Sequence, residues 1–253
     1  MQIEEWFTHQ QLMDWMSQRN GLAYGSSVAY FFLMLMGRQW MEKRPAFVLR
    51  RPLIVWNAVL ALFSILCSFR CFQFLAGDYL AAQSLHAFSC TLAMDDVSAF
   101  WNGLFAASKF VELGDTAFLV LRKKPVIFLH WYHHLTVLVF TWVLTATGSP
   151  VGKVFMAVNA VVHAFMYSYY TATAAGHRFP RILSMCITSM QLVQMVVGLV
   201  TLLTASYHSA IDSGCKAPAL SMYSGYLIYG SYLALFVRFF HKSYLAPKAG
   251  KGE

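Results

Sequence analysis

The sequence predicts an all-α polytopic membrane protein with seven transmembrane helices, and two observations carry this prediction. Of the 253 residues, 58% are hydrophobic and only 12% are charged, and the mean hydropathy is +0.52. This balance is typical of membrane proteins. In addition, the chain contains seven long apolar stretches, and Lys and Arg residues cluster in every second loop between them.

Each apolar stretch predicts one helix, because each approaches the length that crosses a bilayer and has few polar interruptions. The stretches cover residues 22–36, 53–76, 98–121, 126–146, 151–175, 182–206 and 219–240, of which the first is the shortest. No cleavable signal peptide is expected, since residues 1–21 are polar and acidic, so the first span would act as the signal anchor. We expect one domain over 1–253, with a lumenal segment 1–21, a core 22–240 and a cytoplasmic tail 241–253.

The orientation follows from the basic residues, because cytoplasmic loops are enriched in Lys and Arg. The loops after spans one, three and five and the C-terminal tail hold Arg38, Lys43, Arg44, Arg50, Arg51, Arg122, Lys123, Lys124, Arg178, Arg181, Arg238, Lys242, Lys248 and Lys251. The opposite loops are mostly acidic. This alternation predicts a lumenal N-terminus and a cytoplasmic C-terminus. It also accounts for most of the net charge of +8, with anionic lipid as a further partner and no motif for nucleic acid.

Spans three to six carry ionisable or amide side chains, which are costly inside a membrane and therefore indicate function. Spacings of three and four residues place each group on one helix face, so the four faces predict a shared polar cavity. The four stretches are KFVELGDT (Lys109, Glu112, Asp115, Thr116), HWYHH (His130, His133, His134), NAVVHAFMYSYY (Asn159, His163, Tyr167, Tyr169, Tyr170) and TSMQLVQ (Thr188, Gln191, Gln194).

These polar groups are predicted to lie in the same half of the membrane. With a rise of about 1.5 Å per residue, they fall in the cytoplasmic half of the membrane. We therefore expect an enclosed tunnel that opens towards the basic loops, where an anionic substrate would be attracted.

The four stretches, in this order, resemble the boxes KxxExxDT, HxxHH, HxxMYxYY and TxxQxxQ of the very-long-chain fatty-acid elongases, the ELO family. The resemblance implies an endoplasmic-reticulum enzyme that condenses a fatty acyl-CoA with malonyl-CoA to give 3-ketoacyl-CoA, CO2 and CoA, without a further cofactor. It also implies work alongside a ketoacyl reductase, a dehydratase and an enoyl reductase, and a homo-oligomer is possible. The residues of the histidine and tyrosine boxes are similar to those of the family branch that acts on saturated and monounsaturated chains. Family tails carry a dilysine signal, but here only Lys251 is present, with Ala249 and Gly250 where a second lysine is expected.

The chemistry of condensation suggests a histidine nucleophile, because none of the cysteines lies within a box. Neutral imidazole attacks thioesters, and burial favours the neutral form. We predict that His133 takes the acyl group, while His134 and His130 orient it or carry its proton.

The other box residues would bind substrate or hold the developing enolate, or they could be purely structural. His163 would assist decarboxylation with Asn159 and Gln194. Lys109 would pair with Glu112 or Asp115, or reach a substrate carbonyl or carboxylate. The histidines, Gln191 and Gln194 could equally form structural hydrogen bonds, the charges a structural network, and Tyr167 and Tyr170 could simply pack.

Two other functions fit parts of the pattern. A membrane di-iron desaturase or hydroxylase also uses HxxHH, although only four histidines are suitably placed for two irons. A seven-span lipid transporter or receptor would use the polar cavity for a ligand without turnover.

The odd number of cysteines, five, means that they cannot all be paired within the chain. Cys67, Cys71 and Cys186 lie within spans and are interpreted as small apolar fillers. Cys90 and Cys215 fall in the lumenal loops after spans two and six, where a disulfide is permitted, so we predict a bond between them.

Overall fold

The computed structural model describes residues 8–82, 90, 95–211, 215 and 217–246, and its regular structure there is helical. The helices are α1 (His9–Ser17), α2 (Asn20–Met41), α3 (Arg50–Ala82), α4 (Asp96–Glu112), α5 (Gly114–Leu121), α6 (Phe128–Ala146), α7 (Val151–Ala175), α8 (Arg181–Ile211), α9 (Ala219–Phe240) and a π-helical segment (His241–Leu245). Residues 247–253, which include Lys251, lie outside the described residues.

Four helical stretches in the described part are long and apolar enough to cross a membrane. They are Arg50–Gly77, Val151–Ala175, Arg181–Ile211 and Ala219–Leu245. The membrane character predicted from composition is confirmed, whereas the count of seven spans stays a prediction. The span Val151–Ala175 is 61% buried, against 28% to 33% for the other three, so α7 lies at the centre of the bundle.

The third predicted span is not one continuous helix, and a neighbouring helix explains why. It divides at Leu113 into α4 and α5. The indole of Trp56 on α3 packs so closely against Gly114 that a β-carbon there would clash with the ring. The same indole donates to Asp115 Oδ1 at 2.7 Å. Since glycine is also a weak helix former, the interruption accommodates Trp56 at the backbone.

The segment 1–21, predicted only as a polar N-terminus, contains the short helix α1. Thr8 and Gln11 form a capping box at its start. The backbone N–H of His9 donates to Asp96 Oδ1 at 2.8 Å, and Trp142 Nε1 donates to the carbonyl of Met16 at 3.0 Å. These contacts dock α1 against α4 and α6.

Two glycines with positive φ terminate α6 and α7. Gly148 (φ +58°) follows α6, and Gly176 (φ +105°) follows α7. Glycine adopts this left-handed conformation without strain, which makes it a common terminator. At the C-terminal end of α7, Arg50 donates to the carbonyls of Ala174 and Ala175, which are left without helical partners in the last turn.

Cys90 and Cys215 form a disulfide with a Cα–Cα distance of 4.5 Å. It joins the part of the chain before α4 to the part between α8 and α9. Cys67 and Cys71 are buried in the packing of α3 and α7, as expected of small fillers. The same interpretation is wrong for Cys186, which is exposed because it lies on the outer face of α8.

The first part of the predicted tail, from residue 241, is helical. The helical backbone continues past Phe240 as the π-helical segment. Arg181 donates to the carbonyl of Ser243, and the hydroxyls of Thr188 and Tyr244 lie 3.3 Å apart. These contacts hold the segment against the start of α8.

Candidate active site

A cavity of about 570 Å³ lies within the helices that carry the four polar stretches. Its size is in the range of small-molecule sites. Of the predicted site residues, those lining it are Asp115, His130, His133, His134, Asn159, His163, Tyr167, Tyr170, Gln191 and Gln194. Neither Lys109 nor Glu112 lines it. The structure thus places these ten residues around one cavity, and their roles stay predictions.

The three histidines of α6 are arranged around neighbouring polar side chains. The ring of His134 lies 4.5 Å from that of His130 and 5.3 Å from that of His133. His130 Nε2 is 2.9 Å from the hydroxyl of Thr116. Tyr232 stacks obliquely on His133 at 5.1 Å and donates to its carbonyl at 3.1 Å. His134 Nδ1 is buried without a hydrogen-bond partner among the described residues.

Behind the cavity wall lies a buried charge cluster. Lys109 Nζ donates to Glu112 Oε1 at 2.7 Å and to Asn159 Oδ1 at 3.0 Å. His163 Nδ1 is 3.7 Å from the same Glu112 oxygen. Lys109 and Glu112 are 1% and 3% exposed. Of the two predicted partners of Lys109, Glu112 is the one it contacts. The cluster also holds Asn159 and His163 in place where they line the cavity.

Asp115 belongs to a separate hydrogen-bonded group. Trp56 Nε1 donates to Oδ1 and the hydroxyl of Tyr167 donates to Oδ2, each at 2.7 Å. Both carboxylate oxygens therefore have partners from α3 and α7. Asp115 lines the cavity at the point where α3, α5 and α7 meet.

A second, much smaller cavity of about 30 Å³ lies beyond the histidines. His133, Asn159, Gln194 and Met195 line both cavities. The far wall comes from the second half of α6, the first half of α7 and α9, and is formed by Phe140, Phe155 and Tyr229. The rings of Phe155 and Tyr229 are 4.6 Å apart. His133 thus lies between the large cavity and a small one with an aromatic wall.

The far wall depends on one glycine. A β-carbon at Gly198 on α8 would clash with the ring of Tyr229. The absence of a side chain at Gly198 lets this ring pack between α8 and α9. Neither residue was predicted to be functional, since neither lies in a polar stretch.

At the other end, the large cavity reaches the loops that carry the basic residues. Arg122, Ser184 and Tyr244 line it there, and Tyr170 is 43% exposed. Tyr244 was missed because it falls in the predicted tail. Trp56, which positions Asp115, was missed because tryptophan in an apolar span carries no polar signal.

Metal ligation is a separate question, since HxxHH occurs in metalloenzymes. In the residues that the structure describes, no three His, Cys, Asp or Glu side chains are grouped so that they could hold one metal ion. His130 Nε2 lies within hydrogen-bond distance of the Thr116 hydroxyl, and the backbone carbonyl of His133 accepts from the hydroxyl of Tyr232.

Comparison with known proteins adds an independent line of observation. The chain matches the ELO family, described as the GNS1/SUR4 family, over residues 15–252. It is 40% identical over 249 residues to very long chain fatty acid elongase 3 of Mus musculus, covering 98% of this chain and 92% of the relative. It is 40% identical over 256 residues to very long chain fatty acid elongase 6 of Drosophila melanogaster, covering 99% and 81%. Very long chain fatty acid elongase 6 of Homo sapiens is 37% identical over 256 residues, covering 100% and 96%. The chain therefore belongs to the ELO family.

Proposed function

We propose that this protein is the condensing enzyme of fatty-acid elongation, a very-long-chain 3-oxoacyl-CoA synthase. It joins a long-chain acyl-CoA to malonyl-CoA and gives 3-ketoacyl-CoA, CO2 and CoA. Family membership and the names of the relatives support elongation. The two CoA thioesters supply all the reacting atoms, so the reaction needs no further cofactor.

The observation that carries the proposal is the position of His133. It lines both the wide polar cavity and the narrow aromatic one. A nucleophile at this junction has the polar side chains of the large cavity on one side, suited to a CoA thioester, and the aromatic wall on the other, which would limit the length of the acyl chain. The amide groups of Asn159 and Gln194, which could respond to an enolate, line both cavities.

In the first step, a ring nitrogen of His133 attacks the thioester carbonyl of the acyl-CoA. The C–S bond breaks, the proton on the second ring nitrogen is transferred to the thiolate, and CoA leaves as the thiol. The product is a neutral acyl-imidazole on His133. His134 and His130 orient His133 through the contacts between their rings.

In the second step, malonyl-CoA loses CO2 and its electron pair passes to an enolate, which attacks the acyl carbonyl. The bond to His133 breaks, and the ring takes up one proton from water. His163, Asn159 and Gln194 stabilise the enolate, because donors aimed at developing negative charge lower the barrier. Lys109 and Glu112 act indirectly, by holding Asn159 and His163 in place.

We further propose that the protein spans the endoplasmic-reticulum membrane seven times, with a lumenal N-terminus and a cytoplasmic C-terminus. The alternation of basic loops supports this orientation. The cavity would then open to the cytoplasm past Arg122, where the phosphates of a CoA ester are attracted. The preferred substrates would be saturated and monounsaturated acyl-CoAs. Products would pass to the ketoacyl reductase, dehydratase and enoyl reductase of the cycle.

Two measurements separate this proposal from the other functions. A di-iron desaturase or hydroxylase would carry iron in stoichiometric amount, which metal analysis of the purified protein detects. A lipid transporter would bind acyl-CoA without turnover.

Turnover is the direct test. The protein, expressed in membranes that lack other elongases, is supplied with malonyl-CoA and a panel of acyl-CoAs. We expect 3-ketoacyl products two carbons longer, and we expect His133→Ala to reduce their formation on the order of a thousandfold or more. The matched control is His177→Ala, which alters an exposed histidine outside the cavity and should retain activity. Failure to form product with any chain length would refute the proposed activity.

A further inference from the structure

A row of three side chains connects α2 to the histidines of α6. The hydroxyl of Tyr30 on α2 is 2.8 Å from Thr116 Oγ1 on α5. The same Thr116 oxygen is 2.9 Å from His130 Nε2 on α6. Tyr30 and Thr116 are 6% and 3% exposed, so neither hydroxyl is bathed in solvent.

Tyr30 is unusual for its location. Every residue of α2 is described, and none of them lines either cavity. The outer face of α2 is apolar and exposed, as expected of a helix that faces lipid, and includes Tyr24 at 50% exposure. Tyr30 instead points its hydroxyl inward to Thr116, in a segment that belongs to none of the four polar stretches.

The protons of this row can be counted. Each hydroxyl can donate one hydrogen bond, and a neutral imidazole carries one N–H. Tyr30 has Thr116 as its hydrogen-bond partner among the described residues. If Tyr30 donates to Thr116 and Thr116 donates to His130 Nε2, both hydroxyl protons have acceptors, and the remaining Nδ1–H belongs to His130, which lines the cavity. If His130 Nε2 carried the proton, it would donate to Thr116. Either the phenol of Tyr30 or the hydroxyl of Thr116 would then be a buried donor without an acceptor in the row, which is unfavourable.

We propose that Tyr30 and Thr116 are positioning residues that hold neutral His130 with its proton on Nδ1. In this tautomer Nε2 accepts from Thr116, and Nδ1–H is the donor that remains for a neighbour or a molecule in the cavity. His130 then orients by donating a hydrogen bond and does not take up a proton during the reaction. The inference rests on the proposed condensation only for its kinetic readout.

The tautomer can be measured without turnover. The protein is labelled with ¹⁵N-histidine in lipid nanodiscs, and His130→Gln identifies the His130 signals. We expect Nδ1–H in the unaltered protein and a mixture of tautomers in Thr116→Val, which removes the hydroxyl at nearly constant shape. An Nε2–H signal in the unaltered protein, or an unchanged Nδ1–H signal in Thr116→Val, would overturn the inference.

Kinetics provide the second readout. Tyr30→Phe should lower kcat by about five- to tenfold, the size expected from losing one hydrogen bond of ordinary net strength. The KM for acyl-CoA should not change, because Tyr30 lies outside the cavity. Thr116→Ser should restore most of the rate that Thr116→Val loses. The matched control is Tyr24→Phe on the exposed face of the same helix.

Equal kcat values for Tyr30→Phe and Tyr24→Phe would contradict the positioning role. Absence of turnover in the unaltered protein would instead refute the proposed function. In that case the tautomer measurement would still decide the inference, so the two failures are distinguishable.

Discussion

The helices α6 to α9 contribute to two ends of the bundle that are held together in different ways. The histidine end comprises the large cavity with His130, His133, His134 and His163. The disulfide end comprises the small cavity, with its aromatic wall, and the bond between Cys90 and Cys215. At the histidine end, buried polar atoms form networks that reach across several helices. At the disulfide end, rings pack and a covalent bond joins two loops.

This contrast has a physical reason. A buried polar group must be hydrogen-bonded, so a polar site needs partners from several helices, and each partner fixes the geometry of the next. An apolar end requires only close packing, so large side chains in contact can close it. We therefore expect substitutions at the histidine end to disturb chemistry and stability together. Substitutions at the disulfide end should affect stability or chain length separately.

The largest stability effect should come from the charge cluster. Lys109→Met leaves Glu112 as a buried charge without its cation, which should lower the free energy of unfolding by about 3 to 5 kcal/mol. The double variant Lys109→Met with Glu112→Gln should recover much of this loss, because no uncompensated charge remains. Thermal unfolding in detergent measures both. A double variant that is no more stable than Lys109→Met would show that the pair is not coupled.

Loss of the disulfide should have the next largest effect on stability. Cys90→Ser should lower the free energy of unfolding by about 2 to 4 kcal/mol, since the bond restricts the unfolded chain. Turnover at low temperature should change little, because the bond lies away from the histidines. The control is Cys186→Ser, at an exposed and unpaired thiol. Intact-mass analysis after alkylation without reductant should find Cys90 and Cys215 protected, and ready alkylation of either would contradict the bond.

The sequence predicted most helices of the described part because apolar length is a local property. It also predicted which polar side chains share a cavity, since helical spacing places each group on one face. The break at Leu113 was missed because it depends on Trp56 from another helix. Tyr244 was missed because the apolar pattern ends before the helical backbone does. The row from Tyr30 to His130 depends on how α2 packs, which no single helix encodes.

Chain-length preference should respond to the aromatic wall without loss of catalysis. Tyr229→Leu should open the small cavity and shift products towards longer acyl chains. Gly198→Ala should force Tyr229 into the cavity and shift products towards shorter ones. Tyr223→Leu, which alters a side chain 76% exposed on the same helix, serves as the control. Product analysis by mass spectrometry with an acyl-CoA panel decides the matter, and an unchanged distribution in both variants would place the chain elsewhere.

The smallest effect should be at α1, near the disulfide end. Burial lowers the pKa of His9, while Asp96 raises it and Lys153 lowers it. A histidine whose pKa is lower in the folded protein stabilises the fold fully above its unfolded pKa of about 6.5, and this stability is lost as the pH falls. Acid should therefore loosen α1, and His9→Gln should make its hydrogen exchange less dependent on pH between about 7 and 5. Equal pH dependence in both proteins would contradict this role of His9.

The release of CoA from acyl-CoA alone tests directly whether His133 forms an acyl-enzyme. The purified protein is mixed with acyl-CoA alone, and the released CoA thiol is counted before malonyl-CoA is added. The account predicts a burst of about one CoA per protein, with the acyl mass on the peptide that contains His133 and no burst in His133→Ala. A full burst from His133→Ala, or an acyl group on His163 in the unaltered protein, would contradict it.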